Sequence, residues 1–375
     1  MGIEYMTYRK YQQCNRCVMD TTDIDIVFDE QGNCNHCNDF FERISLRVYQ
    51  GAKSDASLKA LIENIKISGK GKTYDCLIGI SGGIDSCYLA YIAKNQGLRV
   101  LLVHMDNGWN SEISVKNIKN IADILGFDYQ SFVLDWDEFK DLQLAFLKAS
   151  IPEIETPTDI AIPGALHKIA VQYGIKYILS GGNYATEGIL PKTWHYNGKD
   201  LKYLKYIQKT FGTKKIKKTP LFGWQNEVYY KLVKGIKIVY PLNYVNYNKV
   251  EAMRKLENDL GWRYYGGKHY ESKYTGFVQS YILPEKFKID YRRATFSTQI
   301  CTGEITREFA LQELEKLSYD PQKVKEEKEY IAKKLSISLH QLDEILNAPP
   351  KWYRDYPNDE VFLNKLYDLY RKYFQ

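Results

Sequence analysis

The sequence predicts an α/β protein built on a doubly wound parallel sheet, with a small four-cysteine module ahead of the sheet and a mostly helical region behind it. Apolar strand-like runs alternate with amphipathic helical stretches between residues 74 and 179, the pattern of a parallel sheet covered by helices on both faces. The turn Ser81-Gly82-Gly83-Ile84-Asp85-Ser86 joins the first of these runs to the first of these helices. Two Cys-x-x-Cys pairs, Cys14/Cys17 and Cys34/Cys37, lie sixteen residues apart near the start of the chain.

The cysteine pairs come first. Their spacing brings four thiolates together tetrahedrally on zinc. The segment between them is polar and turn-rich, with one short strand-like run at 24–28. So short a stretch buries too little to fold unaided, and a metal supplies the staple. His36 reads as a neighbour of the metal, because four thiolates already complete its shell. The alternative is two redox pairs, but neither sits at the βα junction where such pairs occur. Residues 1–45 are expected to form this zinc-binding module.

The alternating region follows: strand-like runs at 74–80, 99–104, 129–134 and 177–179, with helices at 86–96, 112–125, 138–149 and 160–173. The paired glycines let successive backbone N–H groups point into one concavity, and the following helix adds the positive end of its dipole. Such a loop binds a triphosphate or pyrophosphate. Gly82 and Gly83 shape it, the Ser81 and Ser86 hydroxyls are expected to donate to phosphate oxygens, and Asp85 is expected to hold Mg²⁺. In a doubly wound sheet ligands bind at the carboxyl ends of the strands. Two more polar clusters fall there. His104, Asp106 and Asn107 follow the second run and Gly181, Gly182 and Asn183 the last, so all six are expected to bind ATP. A buried structural histidine is the competing reading of His104. Residues 70–195 thus form the expected nucleotide-binding domain.

Residues 196–375 are expected to be mostly helical and to bind substrate or a partner. Eight lysines lie between Lys199 and Lys218 against the single carboxylate of Asp200, while Leu201, Leu204, Ile207 and Phe211 recur at helical spacing. We read an exposed helix with a basic outer side, with nucleic acid an unlikely partner in the absence of an RNA-binding module. Ser338 to Gln341 has the form of a capping box. The net charge of +6 permits an anionic substrate without demanding one. No apolar run is long enough to span a membrane and the first residues are polar, so no membrane partner and a cytoplasmic location are expected.

Together, the Cys-Asn-Arg-Cys-Val-Met-Asp-Thr-Thr opening, the phosphate loop, the run from Gly181 to Gly188 with Trp194 after it, and Arg292-Arg293 leading into Gly303-Glu-Ile-Thr-Arg307 resemble the N-acetyl sugar amidotransferase family. The loop itself resembles the PP-loop of the ATP pyrophosphatases, whose fold is of the adenine nucleotide alpha-hydrolase-like kind. The resemblance runs over nearly the whole chain. It implies an AMP-forming carbon–nitrogen ligase of bacterial surface-glycan biosynthesis (O-antigen, capsule or flagellin glycan) that uses ATP, Mg²⁺ and Zn²⁺. An acetamido oxygen on an N-acetylated sugar would attack the α-phosphorus, and ammonia would displace AMP to leave an acetamidino group. Asp85, Lys286, Arg292 and Arg293 would be catalytic, the cations meeting the α-phosphate or a substrate carboxylate, and Glu187 and Trp194 would bind the sugar. Where the family carries a basic residue, Arg-Arg and then His, this chain reads Asp290-Tyr291-Arg292-Arg293-Ala294. Residue 2 is Gly where an N-terminal-nucleophile glutaminase would need a cysteine, so a separate glutaminase subunit is the expected ammonia source, as the resemblance also implies. The runner-up is a PP-loop tRNA-modifying enzyme, thiolating or amidating. Thiolation needs a cysteine at the site; Cys76 and Cys87 read as core, which leaves Cys301.

Overall fold

The computed structural model describes residues 10–194, 198–266 and 270–374. Five parallel strands, β1 (Cys76–Gly79), β2 (Val100–Asp106), β3 (Asp128–Val133), β4 (Tyr177–Leu179) and β5 (Lys237–Val239), are ordered β3-β2-β1-β4-β5. The chain builds outward from β1 to β3 on one side, then returns to place β4 and β5 on the other. The order therefore reverses between β1 and β4, which opens a crevice at their carboxyl ends.

Side-chain alternation divides the sheet's packing. Cys76, Ile78, Val100 and Leu102 pack with helices α2 (Ala52–Gly69), α3 (Ile84–Asn95), α4 (Glu112–Leu125) and α10 (Lys249–Leu260), whereas Leu77, Leu101, Val103 and Ile178 meet Ile169 and Ala170 of α6 (Thr156–Gln172). Burial on both faces explains why β1 and the first four residues of β2 are continuously apolar. The helices begin and end where local chemistry directs. Ser111 Oγ accepts from Ser114 N at the start of α4, and Gly126 closes it at φ +63°; Asp135 caps α5 (Trp136–Lys148).

Around the sheet lie α1 (Asn35–Asp39), α7 (Tyr184–Glu187), α8 (Leu201–Phe211), α9 (Trp224–Val228), α11 (Lys273–Phe277), α12 (Tyr291–Cys301), α13 (Arg307–Glu315), α14 (Pro321–Leu335), α15 (Leu339–Asn347) and α16 (Glu360–Phe374). The region behind the sheet is helical as expected, and the capping box of Ser338 and Gln341 forms at α15. Two elements were not expected: α2, and the edge strand β5, which the sheet draws from beyond residue 196. In α8, Leu204 and Ile207 are buried as their spacing predicts. No helix among the described residues is long and apolar enough to cross a membrane.

The four-cysteine module is joined to the far end of the chain. One hydrophobic cluster runs from its cysteines, Met19 and Ile26 through Trp194 to α12 and α14. Val18 N donates to Ser297 Oγ at 3.2 Å, and Arg307 donates to the carbonyls of Cys17 and Cys14 at 3.0 and 2.9 Å.

Candidate active site

The phosphate loop runs from the end of β1 into the first turn of α3. Gly82 sits at φ +84°, and a Cβ there would stand 2.5 Å from Ser114 O, so the position admits only glycine. Its carbonyl accepts from Trp262 Nε1 at 2.9 Å. The two serines do not behave as the sequence suggested. Ser86 Oγ accepts from Ser81 N at 3.2 Å and donates to Gly83 O at 3.1 Å, and Ser81 Oγ accepts from Gly83 N at 3.2 Å. A Ser86 hydroxyl committed to a backbone carbonyl braces the loop instead of donating to phosphate, which leaves the helix start and its dipole as the anion-binding feature. A Cβ on Gly181 would come within 3.0 Å of Asp85 C and Ser86 N, so the loop after β4 lies directly against that helix start.

A cleft of about 1230 Å³ opens here and contains Ser81, Asp85, Ser86, Gly181 and Gly182. His104 and Asn107 line it from β2, and Glu187, Trp194 and Arg292 from the opposite side. His104 Nδ1 donates to Ile80 O at 2.9 Å. Burial lowers its pKa, and its Nε2 is buried without a hydrogen-bond partner among the described residues, which leaves an acceptor lone pair at the cleft wall. Asp106 and Asn183 act on the backbone. Asp106 Oδ1 accepts from Gly108 N at 2.8 Å, and Asn183 Oδ1 caps α7 through Thr186 N at 2.9 Å. They shape the walls of the cleft and are not among its lining residues.

The three cations meet different fates. Arg293 turns to the cysteine module, donating to Val18 O at 3.0 Å and pairing with Asp20 at 2.9 Å. Lys286 donates to Ile345 O at 2.7 Å, and neither it nor Arg293 lines the cleft. Both are corrected from catalytic to structural residues, because each is spent on a fixed partner outside the crevice. Arg292 does line the cleft, but Asp290 holds it at 2.7 Å and it also donates to Glu313 O and Lys316 O, so it braces the wall.

Other residues in the cleft carry no motif. Asp85 and Glu271 share a small recess beside the loop with Lys249 and Tyr265. Tyr247 donates its hydroxyl to Asp85 Oδ1. Tyr291 stacks on Trp194 with ring centroids 5.8 Å apart, and its hydroxyl donates to Trp194 O. Glu153, buried, and Glu155, partly buried, line the cleft just before α6, and desolvation raises the pKa of each to about 8.

The donor set of the cysteine module fits zinc. The ligand atoms of Cys14, Cys17, Cys34 and Cys37 all lie within 4.8 Å of one another, with Cys14–Cys37 at 3.7 Å and Cys17–Cys34 at 3.5 Å. Those separations match a tetrahedron of sulfurs ~2.3 Å from a central ion. Backbone N–H groups of Arg16, Cys17 and Cys34 point at Cys14 Sγ from 3.2 to 3.4 Å, which favours the thiolate. His36 pairs with Asp23 at 2.6 Å and stays outside the set.

The reversed parallel sheet, with a glycine-paired loop entering a helix at the switch point, defines a PP-loop nucleotide-binding protein. Residues 75–164 match the family model of the queuosine biosynthesis protein QueC, and residues 271–372 match that of the LPS biosynthesis protein WbpG-like, C-terminal domain. Together these two matches support a likeness to an N-acetyl sugar amidotransferase-like PP-loop family of LPS biosynthesis. It is also similar to the tRNA-specific 2-thiouridylase MnmA of Helicobacter hepaticus, at 32% identity over 27% of this chain and 32% of that protein. A further relative is the tRNA(Ile)-lysidine synthase of Chlamydia pneumoniae, 36% identical over 16% of this chain and 18% of that protein. The chain thus spans at most about half the length of these curated relatives. Among solved structures, the NMN synthetase of Francisella tularensis aligns over 55% of this chain and 93% of its own, with 15% identity and a TM-score of 0.30.

Proposed function

We propose that this chain is an AMP-forming amidotransferase that replaces the acetamido oxygen of an N-acetylated sugar with nitrogen in surface-glycan biosynthesis. The observation that carries the reading is a single cleft whose one wall is the phosphate loop and whose other wall comes from Trp194 and the region matching the WbpG-like domain. The amides at the start of α3 would hold the β- and γ-phosphates, and His104 Nε2 would accept an N–H or O–H from the nucleoside. Asp85, with Glu271 beside it, offers the carboxylate oxygens that a hard cation prefers. Bound Mg²⁺ there would supply charge neutralisation on the departing pyrophosphate. The Trp194–Tyr291 stack presents aromatic faces of the kind that cover a sugar ring, and the buried Trp194 Nε1 has no hydrogen-bond partner among the described residues.

A tRNA-thiolating reading draws on the curated relatives, yet none of the seven cysteines lines the cleft. Burial raises the Cys301 thiol to about 12, which suppresses the thiolate that sulfur transfer uses. The test is to incubate the protein with ATP, Mg²⁺, ammonium salt and a panel of UDP-linked N-acetyl sugars. Mass spectrometry should show oxygen exchanged for NH in the sugar, with AMP and pyrophosphate formed in step. Pyrophosphate release that depends on tRNA would instead favour the second reading.

A further inference from the structure

Glu155 stands immediately before α6, partly buried, and lines the cleft. Its two oxygens are unlike. Oε2 accepts from Thr275 Oγ1, while Oε1 is buried without a hydrogen-bond partner among the described residues. Thr275 lies in α11, four residues after Glu271, and a methyl group placed on Gly83 would stand 3.5 Å from Glu271 Oε1. Four residues of chain reach at most ~14 Å, so a short capped helix ties the Glu155 carboxyl to the phosphate loop across the cleft. Ser272 Oγ caps that helix by accepting from Thr275 N at 3.2 Å and stands 2.9 Å from Thr275 Oγ1, which can accept the serine proton while its own goes to Glu155.

We infer that Glu155 is the catalytic proton acceptor for the nitrogen nucleophile, ammonia, that enters this cleft. The assignment rests on the amidotransferase reading above. In the second half-reaction the ammonia lone pair forms the C–N bond as the C=N pair of the adenylylated imidate moves onto the imidate nitrogen. One proton passes from the new ammonium centre to Glu155 Oε1, and Glu155 delivers it to the imidate nitrogen. The carbon–oxygen bond to AMP then breaks with its electron pair on the phosphate, leaving an amidinium. Glu155 ends as it began, and no oxidant or further reactant is needed.

Other groups at the cleft suit this step less. Glu153 is drawn aside to Tyr203, whose ring packs in a separate cluster with α5 and α8. Burial lowers the pKa of His104, making it the weaker acceptor. Burial instead raises Glu155 to about 8, close to what relaying a proton at neutral pH requires. The charged and titratable groups that bear on it are Asp159 one turn along α6, Tyr274 of α11, Tyr291 of α12, and Glu153.

The full-length protein is tested with ATP, Mg²⁺, UDP-linked N-acetyl sugars and ammonium chloride from acid to alkaline pH. Sugar-dependent ATP–pyrophosphate exchange and amidine formation are read separately. Glu155→Gln should retain exchange while amidine formation falls by ~100-fold or more and loses its pH-dependent limb, and Glu155→Asp should recover part of both. Thr275→Val, which keeps the carboxyl but removes its anchor, should shift that limb and serves as a second probe if Glu155→Gln fails to fold. Amidine formation at the wild-type rate in Glu155→Gln, or equal loss of both half-reactions, would overturn the assignment alone. A wild-type protein that shows no exchange with any of these sugars would overturn the amidotransferase reading and this assignment with it.

Discussion

Tyr247 donates its hydroxyl to Asp85 Oδ1, which fixes the direction in which the acidic side chain of the phosphate loop points. Burial, then the neighbouring Asp85 charge, pushes the Tyr247 pKa far above its usual value, so the phenol stays protonated and remains a donor at any physiological pH. Outer partners of metal ligands typically contribute roughly 10- to 100-fold in metal affinity. Tyr247→Phe should therefore raise the Mg²⁺ concentration needed for half-maximal ATP cleavage by about that factor, with little change in circular dichroism. An unchanged Mg²⁺ titration would remove Tyr247 from the site.

Asp85→Asn goes further, because it keeps the size of the side chain and removes its charge. ATP cleavage should be lost while the melting curve stays near that of the wild type. The products of the wild-type reaction, separated by ion-exchange chromatography, should be AMP and pyrophosphate. Finding ADP and phosphate would contradict an α-phosphorus attack.

Metal analysis of the purified protein should find about one zinc per chain. Structural zinc sites are worth on the order of 10 kcal/mol in folding. Cys14→Ser or Cys37→Ser should therefore lose the metal and expose the module to protease, while a well-folded, metal-free wild type would rule the site out.

Glu153 and Glu155 predict a pH dependence of stability. Their carboxyls move from 4.5 in the unfolded chain to about 8 when buried, so the folded state binds the extra protons. Their contribution is fully present below pH 4.5 and is lost as pH rises through 8. Urea unfolding should show the wild type losing stability between pH 5 and pH 8, and Glu155→Gln losing less. Parallel curves for the two proteins would refute the raised carboxyl.

We expect nitrogen to enter as ammonia made by another subunit. The isolated chain should use a high concentration of ammonium salt and do nothing with glutamine until a glutaminase partner is added. Turnover on glutamine alone would refute this division of labour. The lysine run offers that partner less than its composition suggests. Lys199, Lys202, Lys214 and Lys218 already pair with Glu227, Asp359, Asp137 and Asp135, and Glu138 accepts from the backbone N–H groups of Lys217, Lys218 and Thr219.

Signals written in contiguous residues were legible. The four cysteines, the Ser81–Ser86 loop and the alternation of β1 to β4 all depend on local spacing, and the structure assembles each as the spacing predicts. The roles that failed depend on partners remote in sequence. An Arg-Arg pair suits a phosphate, but Arg293 is claimed by Asp20 of the cysteine module and Arg292 by the carbonyls of Glu313 and Lys316. Glu155 reads as one more loop acid until burial and Thr275 give it a distinct chemistry. Strand β5 escaped notice because three residues, two of them exposed, carry too little periodicity to be seen.

The seat of the cysteine module carries a cost in the order of synthesis. Val18 and Met19 are fully buried, and the module's hydrogen-bonding partners Arg293, Ser297 and Arg307 leave the ribosome long after them. At ~5–20 residues per second, the module waits on the order of tens of seconds for the surface that covers it. A nascent chain stalled before residue 293 would hold a metal-competent knuckle with its apolar side open to solvent. Such a stalled product is the form in which this protein is most exposed to chaperones and to aggregation.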